Sequence, residues 1–257
     1  MDALVTPSKQ FLSSIVYMVM EKLNGKKVLV TGASGAIGSA VVKQLAASGA
    51  LVYITGRDAE RLKKSADESG IPMERMVIAD LSNETDCKLL ADKVNLDGRP
   101  LDILVNAAGI GIIKPFEQLS TNDFERSMQI NFFAAVRLLH DFLPGMKSAG
   151  KGIIINIPGV LGKTPMSGAT AYAASKYALN GMLKSLREEL KRTEIRITQL
   201  YLGGVDSPFW DNIDLRVQRD KMIAAQEVGK AVWFLCQQPS SGVVSEMVLQ
   251  PFNHQVI

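Results

Sequence analysis

The sequence predicts an α/β protein: a doubly wound parallel sheet of seven strands between two layers of helices. Three observations predict it. From Lys26 onward, short β-branched runs alternate with helical patterns. Most strand runs are apolar almost without interruption, as parallel strands covered on both faces are. No Pro/Gly/Ser-rich linker and no internal repeat breaks the alternation, so residues 25–257 read as a single domain.

In order, strands are expected at KVLVTG (27–32), LVYITG (51–56), RMVIAD (75–80), LDILVNAAG (101–109), GIIINI (152–157), RITQLYL (196–202) and EMVLQ (246–250). Helices are expected between them at 36–48, 58–69, 83–95, 121–146, 170–192 and 226–237. Asp58 and Thr170 each stand where a side chain caps a helix start. With right-handed crossovers this is a Rossmann-like, three-layer α/β/α sandwich. Ligands of such sheets bind outside the carboxyl ends of the strands, so the residues just after each strand matter most.

Composition excludes several classes. Of 257 residues 47% are hydrophobic and 21% charged, the balance of a globular chain rather than a disordered or fibrous one. A net charge of +3, scattered along the chain, gives no nucleic-acid footprint. Cys87 and Cys236 match no metal or redox spacing and read as reduced thiols of a cytoplasmic protein. His140 and His254 lack partners at metal-binding or nucleophile-activating spacing. Residues 1–24 read as an N-terminal extension, helical over FLSSIVYMVM (11–20), where Phe11, Ile15, Met18 and Val19 share one side. The stretch is too short to span a membrane and lacks a signal-peptide pattern. It suits docking on the body or on a partner subunit, sequence upstream of a start at Met20, or, more distantly, contact with a membrane surface.

After the first strand comes TGASGAIG (31–38), with Gly32, Ser34, Gly35, Ile37 and Gly38 at a strand-to-helix turn. Such glycines let the backbone approach a pyrophosphate, and the amides of the new helix donate to it; they also serve plain packing. The second strand ends in Gly56 and Arg57, where an acidic residue would bind the ribose of NAD. A guanidinium there suits the 2′-phosphate of NADP. Asp80 and Leu81 end the third strand, and Asn106, Ala107 and Gly109 of NAAG end the fourth, leaving room for adenine and ribose.

Tyr172 and Lys176 lie one helical turn apart. An ammonium near a phenol favours the phenolate and would lower a pKa that starts near 10. Taken with TGASGAIG, Asp80–Leu81, NAAG, Asn131 in MQINFFAAV and LGGVDS (202–207), the YAASK motif gives a chain that closely resembles the classical short-chain dehydrogenases/reductases from about Lys26 to Gln250. The resemblance implies an NADP(H)-dependent oxidoreductase and a homodimer or homotetramer paired through the helices at 121–146 and 170–192. It implies Tyr172 as general acid/base, Lys176 as the group that lowers its pKa and binds the nicotinamide ribose, and Asn131 as holder of a relay water at a helix kink. Val205 would line the nicotinamide ring, and Ser207 would contact its carboxamide in place of the usual threonine.

Three positions depart from the pattern. Ala36 stands where the middle glycine is usual, with Gly35 in its stead, and Leu202 replaces a common proline. Gly159, preceded by Pro158, stands where the resemblance places the catalytic serine. Losing such a donor costs about 3–4 kcal/mol of transition-state stabilisation. Thr164 and Ser167, on the loop before the tyrosine helix, are candidate substitutes or ordinary loop hydroxyls. Phe209 and Trp210 would wall an apolar or cyclic substrate, or simply pack. The expected activity is therefore NADPH-dependent reduction of a carbonyl or imine, with two alternatives: an NADP(H)-binding pseudo-enzyme or sensor, and a non-redox dehydratase or isomerase.

Overall fold

The computed structural model describes residues 23–213, 215–239 and 241–253. The helix expected within residues 11–20 and His254 lie outside the described residues. Seven strands form one parallel sheet: β1 (Lys27–Thr31), β2 (Leu51–Gly56), β3 (Met76–Ile78), β4 (Ile103–Asn106), β5 (Lys151–Asn156), β6 (Glu194–Leu202) and β7 (Glu246–Leu249). Their order is β3-β2-β1-β4-β5-β6-β7, so the chain reverses direction across the sheet between β1 and β4. The helices are α1 (Ala36–Ala47), α2 (Ala59–Ser69), α3 (Glu84–Asn95), α4 (Thr121–Met128), α5 (Ala134–Ser148), α6 (Thr170–Leu190) and α7 (Ala225–Leu235).

The alternation of side chains explains why the strand runs are apolar throughout. In β1, Val28 and Val30 enter one core while Leu29 enters the other; in β4, Ile103 and Val105 divide from Leu104 in the same way. The first core lies under α1, α2 and α7, and the second under α3, α5 and α6. Each fully buried aliphatic side chain contributes about 1.5–3 kcal/mol, so both layers are held mainly by this burial.

Four strands are shorter than expected, β1 and β7 by one residue each and β3 and β4 by more. β3 loses its first residue to a 3₁₀ turn over Met73–Arg75. β4 ends at Asn106 because the next donor that could continue it, the Ala108 N–H, turns to the Thr31 hydroxyl at 3.1 Å. The helix expected at 121–146 is not continuous. A capping box between Ser120 and Asp123 starts α4, and a π-helical turn over Gln129–Phe133 separates it from α5. Asp58 caps α2 as expected, accepting from the Arg61 N–H. Thr170 does not cap α6: Ala169 holds the cap position without a side-chain bond, and Thr170 is the first helical residue.

Candidate active site

The expected site residues meet along the carboxyl ends of the strands. Register places Thr31, Asn106, Asn156 and Gln199 side by side on β1, β4, β5 and β6, a polar row under the cleft. Asn106 donates to the Asn156 side chain at 2.9 Å within it.

At the β1–α1 turn, Gly35 takes the N-cap position and Gly38 packs onto the turn itself. A Cβ on Gly38 would lie 2.2 Å from the Gly32 carbonyl oxygen, so the helix start and the turn touch backbone to backbone. Ile37 lies one residue before it and packs on the first core. Ser34 fills the space beside Gly56: a Cβ there would meet its hydroxyl at 2.5 Å. Arg57 is exposed. Burial opposes ionisation of Asp80, but bonds from the Ser82 N–H and hydroxyl, and the Arg57 charge, hold its carboxyl below the usual range. Leu81 is buried, Ala107 half-buried and Gly109 exposed, which leaves the β4 end open.

The Tyr172 half of the site is held by the π turn. Asn131 accepts from the Ile110 N–H at 2.9 Å and donates to the Ile110 carbonyl at 3.0 Å and to the Ser175 hydroxyl at 2.9 Å. Ser175 in turn donates to the Tyr172 carbonyl at 2.7 Å. A Cβ on Gly109 would stand 3.0 Å from the Asn131 side-chain oxygen and 3.2 Å from the Lys176 ammonium, so both converge beneath that glycine. A cavity of about 10 Å³, bounded by residues including Thr31, Asn106, Asn131 and Lys176, has room for one water.

Lys176 is buried, its ammonium 5.4 Å from the centre of the Tyr172 ring. Among the described residues no ion pair holds it. Burial pushes it down to about 8. Burial pushes the half-buried Tyr172 up to about 12. This runs opposite to the expected lowering of the phenol, because loss of water around the phenolate is what shifts it. At neutral pH Tyr172 therefore carries its proton.

Above Tyr172, Phe209 covers Gly111, where a Cβ would lie 2.2 Å from the ring, and its ring centre stands 6.1 Å from that of Tyr172. Trp210 packs edge-on to Phe209 and donates to the Val205 carbonyl at 2.9 Å, bracing the segment. Val205 and Ser207 are buried, and the Ser207 hydroxyl also donates to the Val205 carbonyl. The Lys114 N–H donates to the Gly168 carbonyl at 2.8 Å and ties the loop after β4 to the loop before α6. Sequence reasoning did not find Gly111, Lys114 or Ser175, whose roles come from what they touch rather than from a motif.

Gly159 sits at φ +72° and ψ 163°, a region essentially restricted to glycine. A Cβ there would stand 3.5 Å from the Tyr172 hydroxyl oxygen, at the place where a serine would act. The expected substitutes do not reach it. Thr164 folds back through its N–H onto the Val160 carbonyl, Ser167 is exposed, and among the described residues no hydrogen bond joins either to Tyr172.

Residues 26–218 match the family model described as short chain dehydrogenase. This chain belongs to the short-chain dehydrogenase family. As a short-chain dehydrogenase it is 34% identical to the nodulation protein G of Rhizobium sp. (strain N33), over 89% of this chain and 96% of that one. It is 30% identical to an uncharacterized oxidoreductase of Staphylococcus epidermidis, over 90% of this chain and all of that one. Among solved structures, a metagenomic short-chain oxidoreductase in complex with NADP superposes with a TM-score of 0.77 at 31% identity, covering 90% of this chain and 98% of that one. Serine dehydrogenase from Escherichia coli gives 0.77 at 28% identity, covering 89% and 99%. The short-chain dehydrogenase fold and the family's oxidoreductase character thus apply along nearly the whole described chain.

Proposed function

We propose that this chain is an NADP(H)-dependent reductase of a carbonyl or imine compound, with Tyr172 as the proton donor. One observation carries the reading: the Tyr172 ring stands 5.4 Å from a buried Lys176 ammonium that, among the described residues, has no acidic partner and converges with Asn131 beneath Gly109. A protonated phenol is the form that reduction requires.

The residues fit the cofactor. The tight turn at Gly32 and Gly38 leaves the start of α1 free for a pyrophosphate, and Arg57 is exposed beside Asp80 for a 2′-phosphate. Lys176, convergent with Asn131 below the exposed Gly109, suits the hydroxyls of the nicotinamide ribose. Val205 and Ser207 would flank the nicotinamide. When bound, NADPH supplies the hydride. Tyr172 gives its proton to the substrate oxygen or nitrogen, Lys176 holds positive charge beside it, and Asn131 fixes the one-water cavity from which the proton is restored. Phe209 and Trp210 wall an apolar or cyclic substrate and exclude water from the reacting end.

The experiment is a stopped-flow and steady-state comparison of Tyr172→Phe with the native chain over a panel of ketones and imines. The expected result is NADPH binding unchanged within about threefold and turnover reduced by about a thousandfold or more. Equal NADPH oxidation by both proteins would falsify this assignment. The Gly159 conformation favours a second reading, a protein that binds NADPH with little turnover; binding without oxidation across the panel is its signature. We also propose a homodimer or homotetramer, supported by the partly exposed Phe133 and Tyr177 on the α4–α5 and α6 faces.

A further inference from the structure

The end of the β5–β6 ladder creates an unusual acceptor beside Tyr172. Gln199 and Gly203 donate through their N–H groups to Ser245 and Leu249 of the β7 side. Alternate residues of a strand point their backbone groups to opposite sides, so the Leu202 carbonyl faces β5 instead. There the ladder stops. The β5–β6 register ends at Asn156, Ile157 faces β4 like Ile153 before it, Pro158 has no N–H to give, and Gly159 leaves the strand at φ +72°. Among the described residues no N–H from the following turn returns to the Leu202 carbonyl. Leu202 is buried, and its oxygen lies 3.7 Å from the point that a Cβ on Gly159 would occupy. The Tyr172 hydroxyl lies 3.5 Å from the same point.

The point that a side chain at Gly159 would occupy is therefore flanked by the Tyr172 hydroxyl on one side and a main-chain acceptor on the other. No side-chain donor of the described residues enters it. A buried carbonyl without a partner is costly, and a ligand that supplies a donor removes that cost. A ligand offering only an acceptor or a methylene does not.

We propose that the substrate is a carbonyl compound bearing a hydroxyl on the carbon next to the reacting carbon, and that this hydroxyl donates to the Leu202 carbonyl. The proposal rests on the reductase reading above. The reaction gives a vicinal diol: the carbonyl carbon receives the hydride of NADPH, which leaves as NADP⁺, and the carbonyl oxygen takes the Tyr172 proton, later restored from water. Gly159 is the specificity-determining position, because the missing side chain is what opens Leu202 to the substrate. The hydroxyl anchors the carbonyl against Tyr172 in a site that has no serine to do so.

The test compares α-hydroxyacetophenone, its O-methyl ether and acetophenone as substrates with NADPH. The ether keeps the oxygen and removes the donor. The expected result is a kcat/KM for the hydroxy ketone about a hundredfold above both others. In calorimetric titrations of NADPH-loaded Tyr172→Phe, which separates binding from turnover, the hydroxy ketone again binds tightest. Gly159→Ala places a methyl group in the space, and the ratio of kcat/KM for the hydroxy ketone to that for acetophenone collapses to within about threefold. If that variant does not fold, the three-ketone comparison decides alone. Equal kcat/KM for the hydroxy ketone and its ether overturns the inference and leaves the reductase reading standing. Oxidation of NADPH with none of the three, by protein that binds NADPH, overturns the inference, and absence of oxidation over the whole panel of ketones and imines overturns the reductase reading as well.

Discussion

At Arg57 a single side chain sets the expected choice between two dinucleotides. The guanidinium is exposed and close enough to Asp80 to help lower its pKa, while Gly56 gives its own space to Ser34. A phosphate on the ribose would gain a charge-assisted bond worth about 1.5–3 kcal/mol, and a carboxylate at the same place would repel it. Arg57→Glu is therefore expected to weaken NADPH binding by about 10- to 100-fold and leave NADH binding within about threefold, read by fluorescence titration. A parallel loss for both dinucleotides would sink the phosphate role. Tyr172 and Lys176 teach a different lesson about residues. Their spacing on α6 was legible as a motif, yet the direction of the phenol's shift was not, because it depends on how completely the fold removes each group from water.

Among the elements, the β1–α1 turn is the most tightly determined. Gly38 abuts the Gly32 carbonyl, and neither partner is a flexible side chain that can swing aside. Gly38→Ala is expected to destabilise the protein by about 2–3 kcal/mol in urea unfolding and to abolish measurable NADPH binding, since the turn must open. Retention of both native stability and affinity would show that the turn yields more easily than its geometry implies. The π turn at Gln129–Phe133 was readable only as a kink implied by resemblance. Apolar periodicity runs through it without a break, and what interrupts the helix is the three-way bonding of Asn131 to Ile110 and Ser175, partners 21 and 44 residues away. The ends of β4 and β5 were likewise overrun or misplaced by a residue or more, because strand ends are set by where donors go next, not by composition.

For the whole molecule, Phe133 and Tyr177 remain partly exposed, 39% and 45%, on the helices that cover one face of the sheet. Apolar side chains on adjoining helices mark a surface that a second copy can cover. Sedimentation velocity at micromolar concentration is expected to give a dimer or tetramer, and a single monomeric species would rule that out. Among the described residues no helix is long and apolar enough to cross a membrane. By itself the sequence determined the layer order, the parallel sheet and the placement of the glycine turn, Asn131, Tyr172 and Lys176, because hydrophobic period and strand-end motifs are local signals that one fold satisfies together. Only the tertiary structure decided what stands beside Tyr172. Gly159 reads in the sequence as a missing donor; the fold brings the Tyr172 hydroxyl and the Leu202 carbonyl to the place its side chain would fill, since that contact joins the end of one strand to the end of its neighbour and is written in neither alone.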